Sequence, residues 1–252
     1  MSRSVLDVAN EASARINIDE ADHNGITRLI REAFRGQVGM VKELIQHGAN
    51  VNAQDTRGWT VLMFASIACN IDTMGVLLDC GARVNAMSFE PHAMTALHHA
   101  VYARQTVHVP PTQRVDAIRL LLSRGADVNL KGGYGYSALH YPVEQGNSTV
   151  VRLLLDYGAD INTRDSNGTT VLMHASESGR IHIIQLLVDR GADIDSVDVY
   201  GLTASNHADM RTDNLVSEVK AVLNRGRRVS ARRAMLDCTL NIPRHGRVGT
   251  IS

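Results

Sequence analysis

One five-residue phrase recurs along this chain: Gly48-Ala-Asn-Val-Asn52, Gly81-Ala-Arg-Val-Asn85, Gly125-Ala-Asp-Val-Asn129, Gly158-Ala-Asp-Ile-Asn162 and Gly191-Ala-Asp-Ile-Asp195. The glycines stand 33, 44, 33 and 33 residues apart. A unit of about this length cannot bury an apolar face by itself. It must share a core with copies of itself, so the chain is restricted to a stacked array.

The rest of each unit has a physical reading. A hydroxyl residue with a leucine two places on follows the first four glycines: Thr60/Leu62, Thr95/Leu97, Ser137/Leu139 and Thr170/Leu172, with an earlier pair at Thr27/Leu29. A hydroxyl before an apolar-periodic run caps a helix start. A second helix follows, with an apolar face such as Val150, Val151, Leu153, Leu154 and Leu155. Gly158 ends it, because glycine adopts the left-handed conformation that closes a helix. The polar stretch up to Gly168 reverses the chain as an extended hairpin.

This pattern resembles the ankyrin repeat over residues 24–226. It is carried by Gly58-Trp-Thr-Val-Leu62, Thr95-Ala-Leu-His-His-Ala100, Gly135-Tyr-Ser-Ala-Leu-His140 and Gly168-Thr-Thr-Val-Leu172, with partial matches at Asn24-Gly-Ile-Thr27 and Gly201-Leu-Thr203. The resemblance implies an all-α solenoid of stacked helix-turn-helix units, projecting hairpin fingers and a concave protein-binding face. Six repeats are expected, at 24–57, 58–92, 93–134, 135–167, 168–200 and 201–226, after an extension over 1–23 and before a basic tail over 227–252. The resemblance also implies structural hydrogen bonds from His98 and His140. It makes Asn52, Asn85, Asn129 and Asn162 candidates for asparagine hydroxylation, against a purely structural role in the hairpins.

Departures cluster between residues 87 and 142. The proline common at the first helical position is absent from every repeat. Repeat 3 carries an insertion at Arg104–Thr112, which Pro110 and Pro111 are expected to stiffen. Segment 88–94 is two residues longer than its equivalents, and Pro142 falls inside the first helix of repeat 4, where it should remove a backbone bond or distort the turn.

Charge is split although it sums to zero, with 26 basic and 26 acidic residues. Residues 225–252 hold seven arginines and one acid, a net +6, which leaves −6 on the remainder. The basic run includes Arg225, Arg227, Arg228, Arg232 and Arg233. It is read as solvated tail, as an acidic-surface or nuclear-import patch, or as a switch. The switch would be Ser230, since Arg227-Arg-Val-Ser230 resembles the substrate motif of basophilic kinases, and phosphate there would reverse the local charge. An acidic body argues against nucleic acid. No apolar run is long enough for a membrane span or a secretory signal, so a cytoplasmic monomer is expected, with a nuclear site open.

Catalytic constellations are missing. Three cysteines, Cys69, Cys80 and Cys238, form no metal or redox pair. His92, His98, His99 and His108 lack the further ligands and spacing of a zinc site, and no phosphate loop or nucleophile elbow is present. No enzyme activity, cofactor or metal is expected. Aromatic placement points to recognition instead. Five of the ten rings lie in the hairpins: Trp59, Phe89, Tyr134, Tyr136 and Tyr200. Polar turns need no rings to fold, whereas binding surfaces use them as anchors. These five and Met94 are the expected contacts with another protein, through fingers and concave face. The alternative is an adaptor whose arginine-rich tail recruits a second partner.

Overall fold

The computed structural model describes residues 17–89, 91–102 and 109–240, with side chains to Arg232. Among the described residues, twelve α-helices pair as first and second helix of six units. They are α1 (Arg28–Arg35) and α2 (Val38–Gln46), α3 (Val61–Ile67) and α4 (Ile71–Asp79), α5 (Ala96–Tyr102) and α6 (Pro111–Ser123). Then come α7 (His140–Gln145) and α8 (Ser148–Asp156), α9 (Val171–Glu177) and α10 (Ile181–Asp189), α11 (Ala204–Asp209) and α12 (Val216–Leu240). Each first helix packs on the first helices beside it and each second helix on its neighbouring second helices, so the array has two helical layers. Among the described residues there is no strand. Single antiparallel bridges close four hairpins, at Ala21–Thr27, Gln54–Thr60, Lys131–Ser137 and Arg164–Thr170.

Local chemistry accounts for these elements. Thr27, Thr60, Thr170 and Thr203 cap their helices by accepting the N–H of Ile30, Met63, Met173 and Asn206. Leu29, Leu62, Leu97, Leu139 and Leu172 are all buried, as are Leu44, Leu77, Leu121, Leu154 and Leu187 of the second helices. Each contributes about 2 kcal/mol by leaving water. The five phrase glycines take φ between 85° and 91°, which only glycine adopts without strain. The phrase asparagines tie neighbouring units together. Asn52 donates to the Gly81 carbonyl and accepts from the Arg83 N–H, and Asn85 and Asn129 repeat this with Gly125/Asp127 and Gly158/Asp160.

Three expectations meet the structure: the Pro142 turn is distorted, and the other two are corrected. First, α7 starts late. Its neighbours begin one residue after the capping hydroxyl, whereas α7 begins at His140, three after Ser137. Pro142 has no N–H for the Ala138 carbonyl, so the helix starts where Pro142 lies in the first turn and no bond is missed. Second, Pro110 and Pro111 do not stiffen a loop. Pro111 is the first residue of α6, where proline's fixed φ fits, and α6 reaches 13 residues against nine for α4 and α8. Residues 104–108 of the insertion lie outside the described residues.

Third, Gly226 does not end the array. It lies inside α12, which runs 25 residues through the expected boundary between repeat and tail. A Cβ on Gly226 would stand 2.3 Å from Val188 Cγ1 and 2.8 Å from Ile194 Cδ1. The glycine serves close approach of α12 to α10, not chain reversal. Arg227 to Leu240 contains no Gly, Pro or Asn to stop the helix. The segment is thus helix through Leu240 rather than a separate tail. At the other end, hairpin 1 already begins at Ala21, inside the expected extension.

Candidate protein-binding face

The hairpins are built around a carboxylate. Asp55 accepts the N–H groups of Arg57 and Trp59, and Asp22, Asp165 and Asp198 do the same in hairpins 1, 5 and 6. Hairpins 3 and 4 lack this aspartate. Ser88 substitutes in hairpin 3, its hydroxyl accepting the Met94 N–H at 2.9 Å. In hairpin 4 Gly132 has no side chain to offer, and the turn is held by backbone contacts such as Gly133 N–H to the His92 carbonyl at 2.7 Å.

The structure divides the expected contact residues. Phe89, Tyr134 and Tyr200 stand at hairpin tips and are 58%, 69% and 73% exposed. Tyr134 is held at φ 60°, a left-handed conformation unfavourable for a side chain of this size. Met94 is buried at 8% exposure, so it is core of hairpin 3 and not a contact residue, a correction to the expectation above. Trp59 and Tyr136 are half-buried. Trp59 is clamped between the Arg57 guanidinium, 4.4 Å from its ring, and His99 at 4.1 Å. Tyr136 stacks on His140 at 4.7 Å and donates its hydroxyl to Glu144. Both brace a hairpin against the first-helix layer as well as presenting an edge.

A second set of rings was missed by counting aromatics in hairpins alone. Four residues after each capping hydroxyl stands Phe64, His99, Tyr141, His174 or His207. That register turns the side chain toward the hairpins, on what we call the inner face. His174 Nε2 lies 3.1 Å from Asp165, and His207 Nε2 3.0 Å from Asp198. Each also has the glutamate of the preceding first helix at 3.6 Å, Glu144 and Glu177 respectively. Tyr102 meets Tyr141 edge-on at 5.2 Å, and Tyr141 meets Tyr136 at 5.7 Å. The signal was present in the sequence as one repeat position filled by rings in five repeats.

Three first-helix histidines, His98, His99 and His140, are buried. His98 and His140 place Nδ1 on the N–H and hydroxyl of Thr95 and Ser137. Burial drives their pKa values down to about 4 and about 3. Burial takes His99 to about 3, and neither of its ring nitrogens has a hydrogen-bond partner among the described residues. No group of three or more metal-ligating side chains gathers among the described residues. Burial raises the pKa of Cys69, which removes it from thiolate chemistry.

At the C-terminal end, Arg227 pairs with Asp195 at 2.7 Å, while Arg225, Arg228, Ser230 and Arg232 are exposed on α12. Arg233 continues the helix. No helix among the described residues is long and apolar enough to cross a membrane.

Two helical layers, carboxylate-closed hairpins and a period near 33 residues define a class of stacked-repeat binding proteins. The chain belongs to the ankyrin-repeat family. The family model described as ankyrin repeats (3 copies) matches residues 5–88, 29–132, 89–165 and 109–198. Ankyrin repeats generally serve as protein–protein interaction modules. The chain is 36% identical over 121 residues to the ankyrin repeat, SAM and basic leucine zipper domain-containing protein 1 of Equus caballus, covering 48% of this chain and 24% of that protein. The Mus musculus counterpart is 35% identical over 116 residues, 46% of this chain and 23% of that one. The chain thus spans about a quarter of the length of the curated relatives it matches. Among solved structures, the ankyrin repeat domain of Bcl-3, a member of the IkappaB protein family, superposes with TM-score 0.70 at 26% identity, over 85% of this chain and 90% of that one. An ankyrin repeat domain from Acinetobacter baumannii gives 0.67 at 27% identity, over 79% and 96%.

Proposed function

We propose that this protein is a non-catalytic recognition module that holds a partner protein through its hairpin tips and inner face. The observation that carries this reading is the state of Phe89, Tyr134 and Tyr200. Each is more than half exposed, and Tyr134 occupies a backbone conformation that glycine would fill with less strain. Large rings held in water at that expense serve contact better than folding. The reading carries a monomer in the cytoplasm or nucleus, with no cofactor and no role for nucleic acid or membrane.

A photo-crosslinking residue at Asn167, between the tips of Tyr134 and Tyr200 in chain order, tests it in the source cell. A defined crosslinked partner is expected, lost when Phe89, Tyr134 and Tyr200 are replaced together by Ala, Gly and Ala. An undiminished crosslink in a variant with an unchanged melting curve would sink the proposal.

A second reading is favoured by the run of exposed arginines on α12. In it, Arg225, Arg228, Arg232 and Arg233 recruit a further, acidic partner, which makes the chain an adaptor. Phosphate on Ser230 would sit one helical turn from Arg227 and compete with Asp195 for its guanidinium.

A further inference from the structure

The inner face changes character along the array. Its first helix carries Arg28, Arg31 and Arg35. By contrast α5, α7, α9 and α11 contain no Lys or Arg at all. Their charged side chains are Glu144, Glu177 and Asp209. Asp209 is paired with Lys220. Glu144 and Glu177 stand seven residues after their capping hydroxyls, the same register in successive repeats. Among the described residues, neither has a Lys or Arg ion-pair partner. The nearest guanidinium groups, of Arg180 and Arg211, donate instead to the backbone carbonyls of Glu144 and Glu177. Tyrosine rings adjoin the first of these carboxylates: Tyr136 bonds to Glu144, and Tyr141 links Tyr136 to the half-exposed Tyr102. Burial first, then Tyr102 and Glu144, lifts Tyr141 to about 12.

Elsewhere the molecule fills such an arrangement itself. On hairpin 2, the Arg57 guanidinium lies over Trp59 while its Nε and Nη2 bind Asp55 at 3.0 and 2.9 Å. Ring and carboxylate together hold one planar cation there. Between repeats 3 and 5 the rings and carboxylate recur, and among the described residues no arginine is bound to them.

We infer that this part of the inner face receives an arginine of a basic segment of the partner protein. Its guanidinium stacks on Tyr102 and Tyr141 and pairs with Glu144, and a further basic residue of the segment reaches Glu177. Arginine fits better than lysine, because a planar, weakly hydrated guanidinium both stacks on a ring and forks onto a carboxylate. The inference rests on the proposed role in partner binding and specifies the chemistry at one part of that surface.

Titration calorimetry of the full chain with an Arg-Gly-Arg-Gly-Arg peptide at low salt, and with its lysine counterpart, tests this. Binding of the arginine peptide is expected, weaker for lysine. It should fall about tenfold in Glu144→Gln and in Tyr102→Leu, the loss of one charge-assisted or cation–π contact. Glu144→Gln keeps an acceptor for the Tyr136 hydroxyl, and Tyr102 is largely surface, so both variants should fold. Tyr157→Ala, at the end of α8 in the second-helix layer, should leave the peptide affinity unchanged. Absence of binding, or affinity indifferent to Glu144 and Tyr102, overturns the inference. If Glu144→Gln retains the crosslinked partner while no variant alters peptide binding, the arginine site fails and the partner-binding role stands. Concentration-dependent dimerisation that the peptide competes away would assign the site to the arginine-rich helix of a second copy, and would also overturn the inference.

Discussion

Repeats 2 and 5 are close to copies of one another, and repeats 3 and 4 are copies of neither. In the regular pair, Thr60 and Thr170 accept from Met63 and Met173 N–H at 3.3 Å, and each methionine sulfur accepts the threonine N–H in return, also at 3.3 Å. Ser66 and Ser176 donate to the Leu62 and Leu172 carbonyls at 2.7 and 2.8 Å. Asp55 and Asp165 close the hairpins. In the middle pair, a histidine replaces the methionine, the hairpin aspartate is gone, and Pro142 delays a helix. Two of the three non-glycine residues at positive φ among the described residues, Ala93 and Tyr134, lie in this pair, and Cys69 lies at the end of α3 before it. Of the five buried polar atoms without a hydrogen-bond partner among the described residues, three, both ring nitrogens of His99 and His140 Nε2, are there as well, while Thr73 Oγ1 and His207 Nδ1 lie in repeats 2 and 6. The middle pair also holds exposed Tyr102 and Tyr134, with Phe89 on the hairpin that leads in. Strain and unmet polar atoms coincide with exposed aromatic surface. A fold tolerates such conflicts where contact with something else is served.

Acid should separate the two pairs most strongly. His98, His99 and His140 have folded pKa values of about 4, 3 and 3, below the ordinary 6.5. The unfolded chain therefore binds more protons than the native one at mildly acidic pH. Their stabilisation is complete above about 6.5 and is lost as pH falls toward 4. Near pH 5 each histidine should withdraw about 2 kcal/mol. Hydrogen exchange should show α5 and α7 opening before α3 and α9 as pH is lowered. His99→Phe should flatten the pH dependence by about a third and raise stability slightly at neutral pH, because two orphaned nitrogens leave the core. Uniform opening of all repeats on acidification would break the comparison.

A test of the regular pair comes next in size. Asp165→Ala strips the acceptor from the Asn167 and Thr169 N–H groups and from His174, and should cost about 2 kcal/mol in denaturant unfolding. Repeat 4 already lacks this carboxylate, so removing Lys131, which reaches across to the Arg164 carbonyl from an exposed position, should cost well under half as much. Equal losses would mean that the hairpin aspartate is not what distinguishes the pairs.

Smallest is Tyr134→Gly. Relief of the left-handed backbone should add about 1 kcal/mol of thermal stability while weakening capture of the partner. A stability loss would show that the ring has a packing role its exposure does not suggest.

Much of this was legible in the sequence. Glycine and asparagine at a fixed period gave the stacked architecture, since both residues act through local backbone chemistry that position alone dictates. Hidden were features set by the neighbouring repeat. Gly226 looks like the other helix-ending glycines, and only the approach of Val188 explains its helical state. Met94, Trp59 and Tyr136 share one position before the capping hydroxyl, but what they meet differs from repeat to repeat. Met94 is covered, while the two rings keep an exposed edge. Glu144 and Glu177 drew no notice because a surface glutamate is unremarkable until its cationic partner is found wanting.

The unbroken run of α12 has a mechanical consequence. A helix of 25 residues is about 37 Å long, and the part beyond Gly226 projects about 20 Å past its last close seating on α10. It behaves as a pointer fixed to the final repeat. A tilt of the sixth unit by roughly 10° would carry the pointer's end through about 4 Å, so a partner gripping the other repeats could be sensed there as a displacement.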